Sequence, residues 1–176
     1  MYRSKEHDEA DRIVESSLGA AQDQVDAMHT MFAMEAVCDL NLLFEFCDFR
    51  EAAEYLDSLM QAAKNGATIR LIIYPEPLNG IENAVAHDVF INELENRGLR
   101  DQVEIRFLEE LMHYKTALID DEFLIIGSQN FHYSAYGKGD GLSEYSLGTN
   151  DSQAIEDYQR LFEYQWERST QRWGEK

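Results

Sequence analysis

The chain has 176 residues, 44% of them hydrophobic and 11% aromatic, which suits one domain with a single substantial core and excludes a disordered chain. Its 34 acidic residues against 15 basic give a formal charge of −19, so a broad basic face for nucleic acid or an anionic membrane is not on offer. Two cysteines, Cys38 and Cys47, make neither a metal-ligand spacing nor a disulfide framework, and free thiols in a reducing compartment are expected.

The opening MYRSKEHDEADRIVE is charged from the start and lacks the form of a signal peptide. Apolar residues at 10, 13, 14, 18 and 21 trace one helical face from Ala10 to Ala21. QVDAMHTMFA, ending near Ala33, predicts a first strand, with a continued helix as the alternative. The most apolar run, MFAMEAVCDLNLLFEF, is broken by Glu35, Asp39 and Glu45, so no integral membrane segment is expected. That points to a cytoplasmic protein, with peripheral attachment to a membrane left open. Cys38 to Cys47 is read as a connection. Asp48 and Glu51 have the spacing of a capping box, after which Phe49, Ala52, Leu56, Leu59, Met60 and Ala63 recur at helical spacing until Gly66. ATIRLIIY predicts a strand and YPEPLNG a loop. A helix runs from about Ile81 to Arg97, stopped by Gly98. In DQVEIRFLEE, Val103, Ile105 and Phe107 alternate inward as in a strand.

HYKTALIDDEFLIIGSQN, residues 113–130, reads as two strands about a turn at Asp120 to Glu122. A Gly-rich segment from Gly137 to Gly141 and the strand SEYSLGT come next. Asp151 caps a last helix carrying Ile155, Tyr158, Leu161, Phe162 and Trp166, with Glu156 and Arg160 as a surface pair. The tail beyond Arg168 is expected to fray. Alternating helices and strands define one domain over residues 1–176, an α/β sandwich with one mixed sheet of about six strands and three main helices.

Residues i and i+2 of a strand share a face, so His113 and Lys115 are expected to project together. The returning strand then brings Gly127, Ser128 and Asn130 close to them, and Gly127 leaves room for a close backbone approach. An imidazole, an ammonium, a hydroxyl and an amide in one small volume suit a phosphodiester. Neutral imidazole is a nucleophile at pH 7, lysine neutralises a non-bridging oxygen, and Ser and Asn donate to the same oxygens. This set requires no metal and no cofactor, and the chain offers no carboxylate cluster of the two-metal kind.

H-x-K-x4-D-x6-G-S-x-N, met here by His113, Lys115, Asp120, Gly127, Ser128 and Asn130, is the signature motif of the phospholipase D superfamily, which this chain resembles. NFHYSAYG and SEYSLGT are also similar to the segments C-terminal to the motif in cardiolipin-synthase-like members. The resemblance implies an α/β/α sandwich with a mixed central sheet flanked by helices. It further implies phosphodiesterase or phosphatidyltransferase chemistry through a phosphohistidine intermediate. On the matching positions, His113 is nucleophile or general acid–base, Lys115 and Asp120 belong to the catalytic group, and Gly127, Ser128 and Asn130 bind phosphate. Glu144 is the position that orients the histidine. The turn position of Asp120 also allows a role in holding the hairpin.

Two-histidine chemistry needs a second motif, yet His7, His29, His87 and His132 have no lysine two residues on. The other half must come from a dimer mate, from a partner chain, or from the remainder of a longer two-motif enzyme. Two-fold homodimers are the commonest closed assembly, which favours the first. The acidic charge favours a phospholipid over nucleic acid as substrate. A metal-independent nuclease is the alternative, and a non-catalytic phosphate-binding half the third reading. His29, Met28, Met31 and Met34 read as packing residues; His132, Tyr133 and Tyr136 are candidates to edge the cleft.

Overall fold

The computed structural model describes residues 2–3, 9–30, 32–33, 54–74, 81–132 and 143–171. Cys38, Cys47, the Asp48–Glu51 box with Phe49 and Ala52, Met31, Met34, Tyr133, Tyr136 and the glycine-rich segment lie outside them, as does the side chain of His132.

The elements in chain order are β1 (Tyr2–Arg3), α1 (Glu9–Ala20), β2 (Gln24–His29), β3 (Phe32–Ala33), α2 (Glu54–Asn65), β4 (Thr68–Ile73) and α3 (Ile81–Asn96). A 3₁₀ turn at Arg100–Gln102 then leads to β5 (Val103–Phe107), β6 (Lys115–Ile119), β7 (Phe123–Gly127), β8 (Phe131–His132), β9 (Glu144–Thr149) and α4 (Ser152–Arg168). Gly66 and Gly98 end α2 and α3 at positive φ, 104° and 68°, as their positions in the sequence suggest.

Seven strands form one mixed sheet in the order β1-β9-β7-β6-β2-β4-β5. β2, β4 and β5 run parallel, joined through α2 and α3, whereas β6, β7, β9 and β1 continue outward antiparallel. Strand alternation sorts the core into two layers. Val25, Ala27, Ile69, Leu71, Val103, Ile105 and Ala117 face α1, α2 and α3, which contribute Val14, Leu18, Leu59, Ala62, Phe90 and Leu94. Met28, Ile72, Leu118 and Leu124 face the other way, onto Ile155, Tyr158, Phe162 and Trp166 of α4. The result is the expected α/β/α sandwich.

Arg70 fastens α4 to the sheet. Its guanidinium donates to Asp26 at 2.5 and 2.7 Å, pairs with Glu163 at 2.7 Å, and lies over the Phe162 and Trp166 rings at 4.8 and 5.3 Å. Burial pushes the Asp26 carboxyl up, and the Arg70 hydrogen bonds and charge pull it back.

Three sequence expectations change in detail. The first strand stops at His29 instead of Ala33, because the Thr30 N–H turns to the Tyr114 carbonyl at 3.0 Å; Phe32–Ala33 then pairs with β8 in a separate two-stranded sheet. The sheet has seven strands because Tyr2–Arg3 adds to β9. The chain after α4 does not fray at once: Phe107 N–H donates to Thr170 O at 2.7 Å and Thr170 N–H returns to Phe107 O at 2.9 Å, stitching it to β5. Asp151 caps α4, accepting from the Ala154 N–H at 2.9 Å. Among the described residues, no helix is long and apolar enough to cross a membrane.

Candidate active site

β6 begins at Lys115, so His113 lies two residues ahead of the strand in an irregular lead-in. The two side chains therefore do not share a pleated face as expected. His113 is exposed and Lys115 is buried, the ammonium folding back to donate to the His113 carbonyl at 3.1 Å and to Thr30 Oγ1 at 3.2 Å. Thr30 in turn shares its hydroxyl proton between the Met112 and Tyr114 carbonyls, at 3.2 and 3.3 Å. One threonine thus holds both the lysine and the backbone on either side of the histidine. Sequence reasoning missed Thr30; the strand it follows, QVDAMH, already carries Gln24, Asp26 and His29, so one more polar residue gave no signal.

Across the sheet, Gly127 pairs with Ser146, which sets Ser128 beside the start of β9. The Ser128 hydroxyl donates to the Glu144 carboxylate and accepts from the Tyr145 N–H at 3.1 Å, while Ser128 N–H donates to Tyr145 O at 3.0 Å. Glu144 is buried, and the hydrogen bond the structure gives it is with Ser128; an imidazole bond to it is not among the contacts of the described residues. Its charge still reaches the site. Burial pushes the Lys115 ammonium down from its usual value, and Glu144 opposes that shift.

Gly127 was expected at the phosphate. The structure gives another reason for it: a Cβ there would run into the Ser146 side chain and come within 2.8 Å of Tyr145 O, so it is β9 that approaches closely. Gln129, the variable position of the motif, is also engaged. Its amide donates to Asp11 of α1 at 2.7 Å and its carbonyl accepts from Ser146 Oγ at 2.9 Å, clamping the Ser128–Asn130 loop to a helix and a strand. Half-buried Asn130 comes next at the same edge.

Asp120 stands apart. It and Asp121 take positive φ, 51° and 56°, and Glu122 N–H closes the turn on Ile119 O at 3.0 Å. The Asp120 carboxylate accepts from the N–H groups of Asp23 at 2.8 Å, Gln24 at 3.0 Å and Gln22 at 3.1 Å. Five residues of extended chain separate it from Lys115, roughly 17 Å at the usual strand rise. A carboxylate so placed cannot touch a phosphate held by Lys115, which corrects its grouping with the catalytic residues. It ties the hairpin to the α1–β2 connection instead.

Of the histidines whose side chains are described, His29 is buried directly across the ladder from Lys115, and His87 packs on Phe107 with ring centroids 5.2 Å apart. Phe107 ends β5, three strand positions from β6, roughly 14 Å away at ordinary strand spacing. His87 is thus too far to oppose His113 across a bound phosphate, and His29 is buried within the sheet while His113 is exposed. A cavity of about 10 Å³ behind Lys115, lined by His29, Gln129 and Ser146 among others, holds one water at most. No group of three or more His, Cys, Asp or Glu able to hold a metal ion occurs among the described residues.

A mixed-sheet sandwich with an H-x-K lead-in at one sheet end and a serine–glutamate pair beside it defines a phospholipase D-like domain. The chain belongs to the family described as cardiolipin synthase, PLD-like domain, whose model matches residues 15–166. Its fold is shared with Nuc, a phospholipase D family member from Salmonella typhimurium (TM-score 0.70, 18% identity, covering 97% of this chain and 94% of that one). NucT from Helicobacter pylori is equally similar (TM-score 0.71, 17% identity, 98% and 96% covered). Phosphatidylserine synthase from Haemophilus influenzae matches over 92% of this chain but 36% of its own (TM-score 0.62, 14% identity). Compared with curated proteins, the sequence has no significant match.

Proposed function

We propose that the protein is a phospholipase D-type phosphodiesterase or phosphatidyltransferase in which each chain supplies half of a two-histidine site. The observation that carries this reading is an exposed imidazole, His113, beside an ammonium pinned in place by Thr30 and by the His113 carbonyl. His113 attacks phosphorus and forms a phosphorus–nitrogen bond as the bond to the leaving alkoxide breaks. An imidazolium from a second motif gives that alkoxide its proton. The same imidazole, now neutral, removes a proton from water or an alcohol, whose oxygen displaces His113 from phosphorus. Lys115 compensates the charge that builds on the non-bridging oxygens and Asn130 offers a hydrogen bond to them, while Ser128 donates to them on turning its single hydroxyl proton away from Glu144. Glu144 acts through Ser128 and Lys115. Gly127 and Asp120 shape the hairpin.

The second histidine is proposed to come from another copy of this chain, because this chain carries one H-x-K motif and, among the histidines whose side chains are described, His29 is buried and His87 lies three strands away. A phospholipid substrate is supported by the family's description, by the phosphatidylserine synthase whose fold the chain shares, and by the −19 charge, which repels nucleic acid at long range. The chemistry is proposed to run without metal or cofactor, at a peripheral membrane surface or in the cytoplasm.

Turnover of a bis-aryl phosphodiester in excess chelator, with acid-labile phosphate trapped on His113, is the expected result. Substrate consumed with the label on another residue would refute the mechanism. Turnover of DNA in preference to phospholipid would leave the chemistry standing and replace the substrate.

A further inference from the structure

Gln129 is buried, 3% exposed, between exposed Ser128 and half-buried Asn130. Both ends of its side-chain amide are engaged: the nitrogen donates to Asp11 of α1 at 2.7 Å, and the oxygen accepts from Ser146 Oγ at 2.9 Å. A hydroxyl has a single proton, so Ser146 commits its own to Gln129. The chain therefore runs one way, from hydroxyl to amide to carboxylate, and joins β9, the loop after β7, and α1. Its outer members are buried as well, Ser146 at 1% exposure and Asp11 at 6%. Asp11 stands in the first turn of α1, where the helix dipole favours an anion.

Packing alone does not call for this set. A leucine at 129 would fill much of the same space without an amide to desolvate. The polar set instead holds the loop from both sides. The Ser146 hydroxyl also stands over Gly127, where a Cβ would run into it, so the residues before and after Ser128 lean on one side chain. Gln129 and Ser146 line the small cavity behind Lys115 too, so the same support backs the site's cation.

We infer that Asp11 and Gln129 are positioning residues for phosphate: the buried carboxylate fixes the Gln129 amide and, through it, the placement of Ser128 and Asn130. The inference rests on the phosphodiester reading of the site. Both residues are buried and act through the loop they hold. The bond to the carboxylate is charge-assisted, and a buried network of this kind is costly once half broken.

The test exchanges the two groups in the full chain. Gln129→Glu sets a second carboxylate against Asp11. Adding Asp11→Asn reverses amide and carboxylate while leaving Ser146 an acceptor. Turnover of a bis-aryl phosphodiester in chelator, calorimetric titration with inorganic phosphate, and thermal midpoints are measured on each variant. Gln129→Glu is expected to lower kcat/KM per folded molecule roughly 10- to 100-fold and to weaken phosphate binding, and the double exchange should recover most of both. Gln129→Leu should lose activity on the same scale, and it carries the test if the paired carboxylates prevent folding. Gln129→Glu should also gain on wild type as pH falls, because one proton shared by the two carboxyls rebuilds a hydrogen bond. The ionisable groups around the pair are Glu15 on the same face of α1, His29 and Lys115 across the small cavity, and Glu144 through Ser128. All are common to both proteins, so the ratio of their pH profiles isolates position 129. A merely structural role would lower the thermal midpoint and leave that ratio flat.

Gln129→Leu turning over like wild type per folded molecule would overturn the inference and leave the His113 mechanism standing. A folded double exchange no better than Gln129→Glu alone would do the same. Wild type that binds phosphate without turnover would remove the mechanism, while phosphate binding lost in Gln129→Glu and regained in the double exchange would still support the positioning role. Wild type that neither turns over nor binds phosphate would overturn both.

Discussion

Thr30 accepts a hydrogen bond from the Lys115 ammonium at 3.2 Å while its own hydroxyl proton is directed to the Met112 and Tyr114 carbonyls. Three roles meet at this residue: it ends β2, it fixes the lead-in that carries His113, and it orients the site's cation. Thr30→Val keeps the shape and removes all three hydrogen bonds. We expect kcat/KM for a phosphodiester to fall roughly 10- to 100-fold, the scale of a hydrogen bond to a charged group. Thr30→Ser should restore most of it. A purely structural role would lower stability in both variants without moving the alkaline limb of the pH profile, which Thr30→Val should shift to lower pH.

On the proposed mechanism Lys115 sets that limb. Burial holds its ammonium below the usual 10.5, against the opposing pull of Glu144. Activity should therefore decline with rising pH before 10.5, as the proton that neutralises phosphate charge is lost. The stability consequence has the opposite direction. An unfolded chain keeps this proton to higher pH than the folded one, so stability contributed at this position rises with pH between the folded pKa and 10.5. Glu144→Gln removes the opposing charge and should move the alkaline limb further down. A pH–rate series on both proteins decides it.

His113 is exposed, and its imidazole supports no packing contact that the fold depends on among the described residues. His113→Ala should abolish turnover, by roughly a thousandfold or more for loss of a nucleophile, and leave the thermal midpoint within the range of an ordinary surface substitution. Differential scanning calorimetry beside a phosphodiesterase assay separates the two effects.

Gly127→Ala forces a methyl group against Ser146 and Tyr145 O, where β9 has no room to retreat without breaking its ladder with β7. Overpacking of this kind costs about 1–3 kcal/mol. Denaturant unfolding should show that loss, and hydrogen exchange should find it concentrated in β7 and β9.

Asp120→Ala loses three backbone N–H partners and must hold a non-glycine residue without a carboxylate at φ 51°. A destabilisation of about 1–2 kcal/mol is expected by analogy with lost helix caps, and Asp120→Asn should cost less. Burial raises the Asp120 carboxyl, but the Asp23, Gln24 and Gln22 N–H groups more than reverse this and leave it below 3.8. Its stabilisation is therefore present above that value and lost as pH falls through the lower folded pKa. The urea-midpoint gap between wild type and Asp120→Asn should narrow in that acid range, while turnover per folded molecule stays near wild type.

Local patterns made most of the fold legible. Apolar spacing located α1 and α4, Gly66 and Gly98 marked two helix ends, and alternation at Val103, Ile105 and Phe107 gave β5 its inward face. What failed did so where a partner distant in sequence overrode the local signal. QVDAMHTMFA reads as one strand until Tyr114 takes the Thr30 N–H, and the tail beyond Arg168 reads as loose until Thr170 pairs with Phe107.

At the site, residue identity and spacing alone fixed which groups are present: an imidazole and an ammonium two apart, then a hydroxyl and an amide after a hairpin. Spacing could not assign their tasks, because those depend on which groups meet in space. Only the tertiary arrangement sent Asp120 to the far end of β6, gave Gly127 to β9, joined Glu144 to Ser128 and recruited Thr30 from 85 positions away to hold Lys115. A hydrogen bond acts over about three ångströms, and no linear pattern records which distant strands come that close.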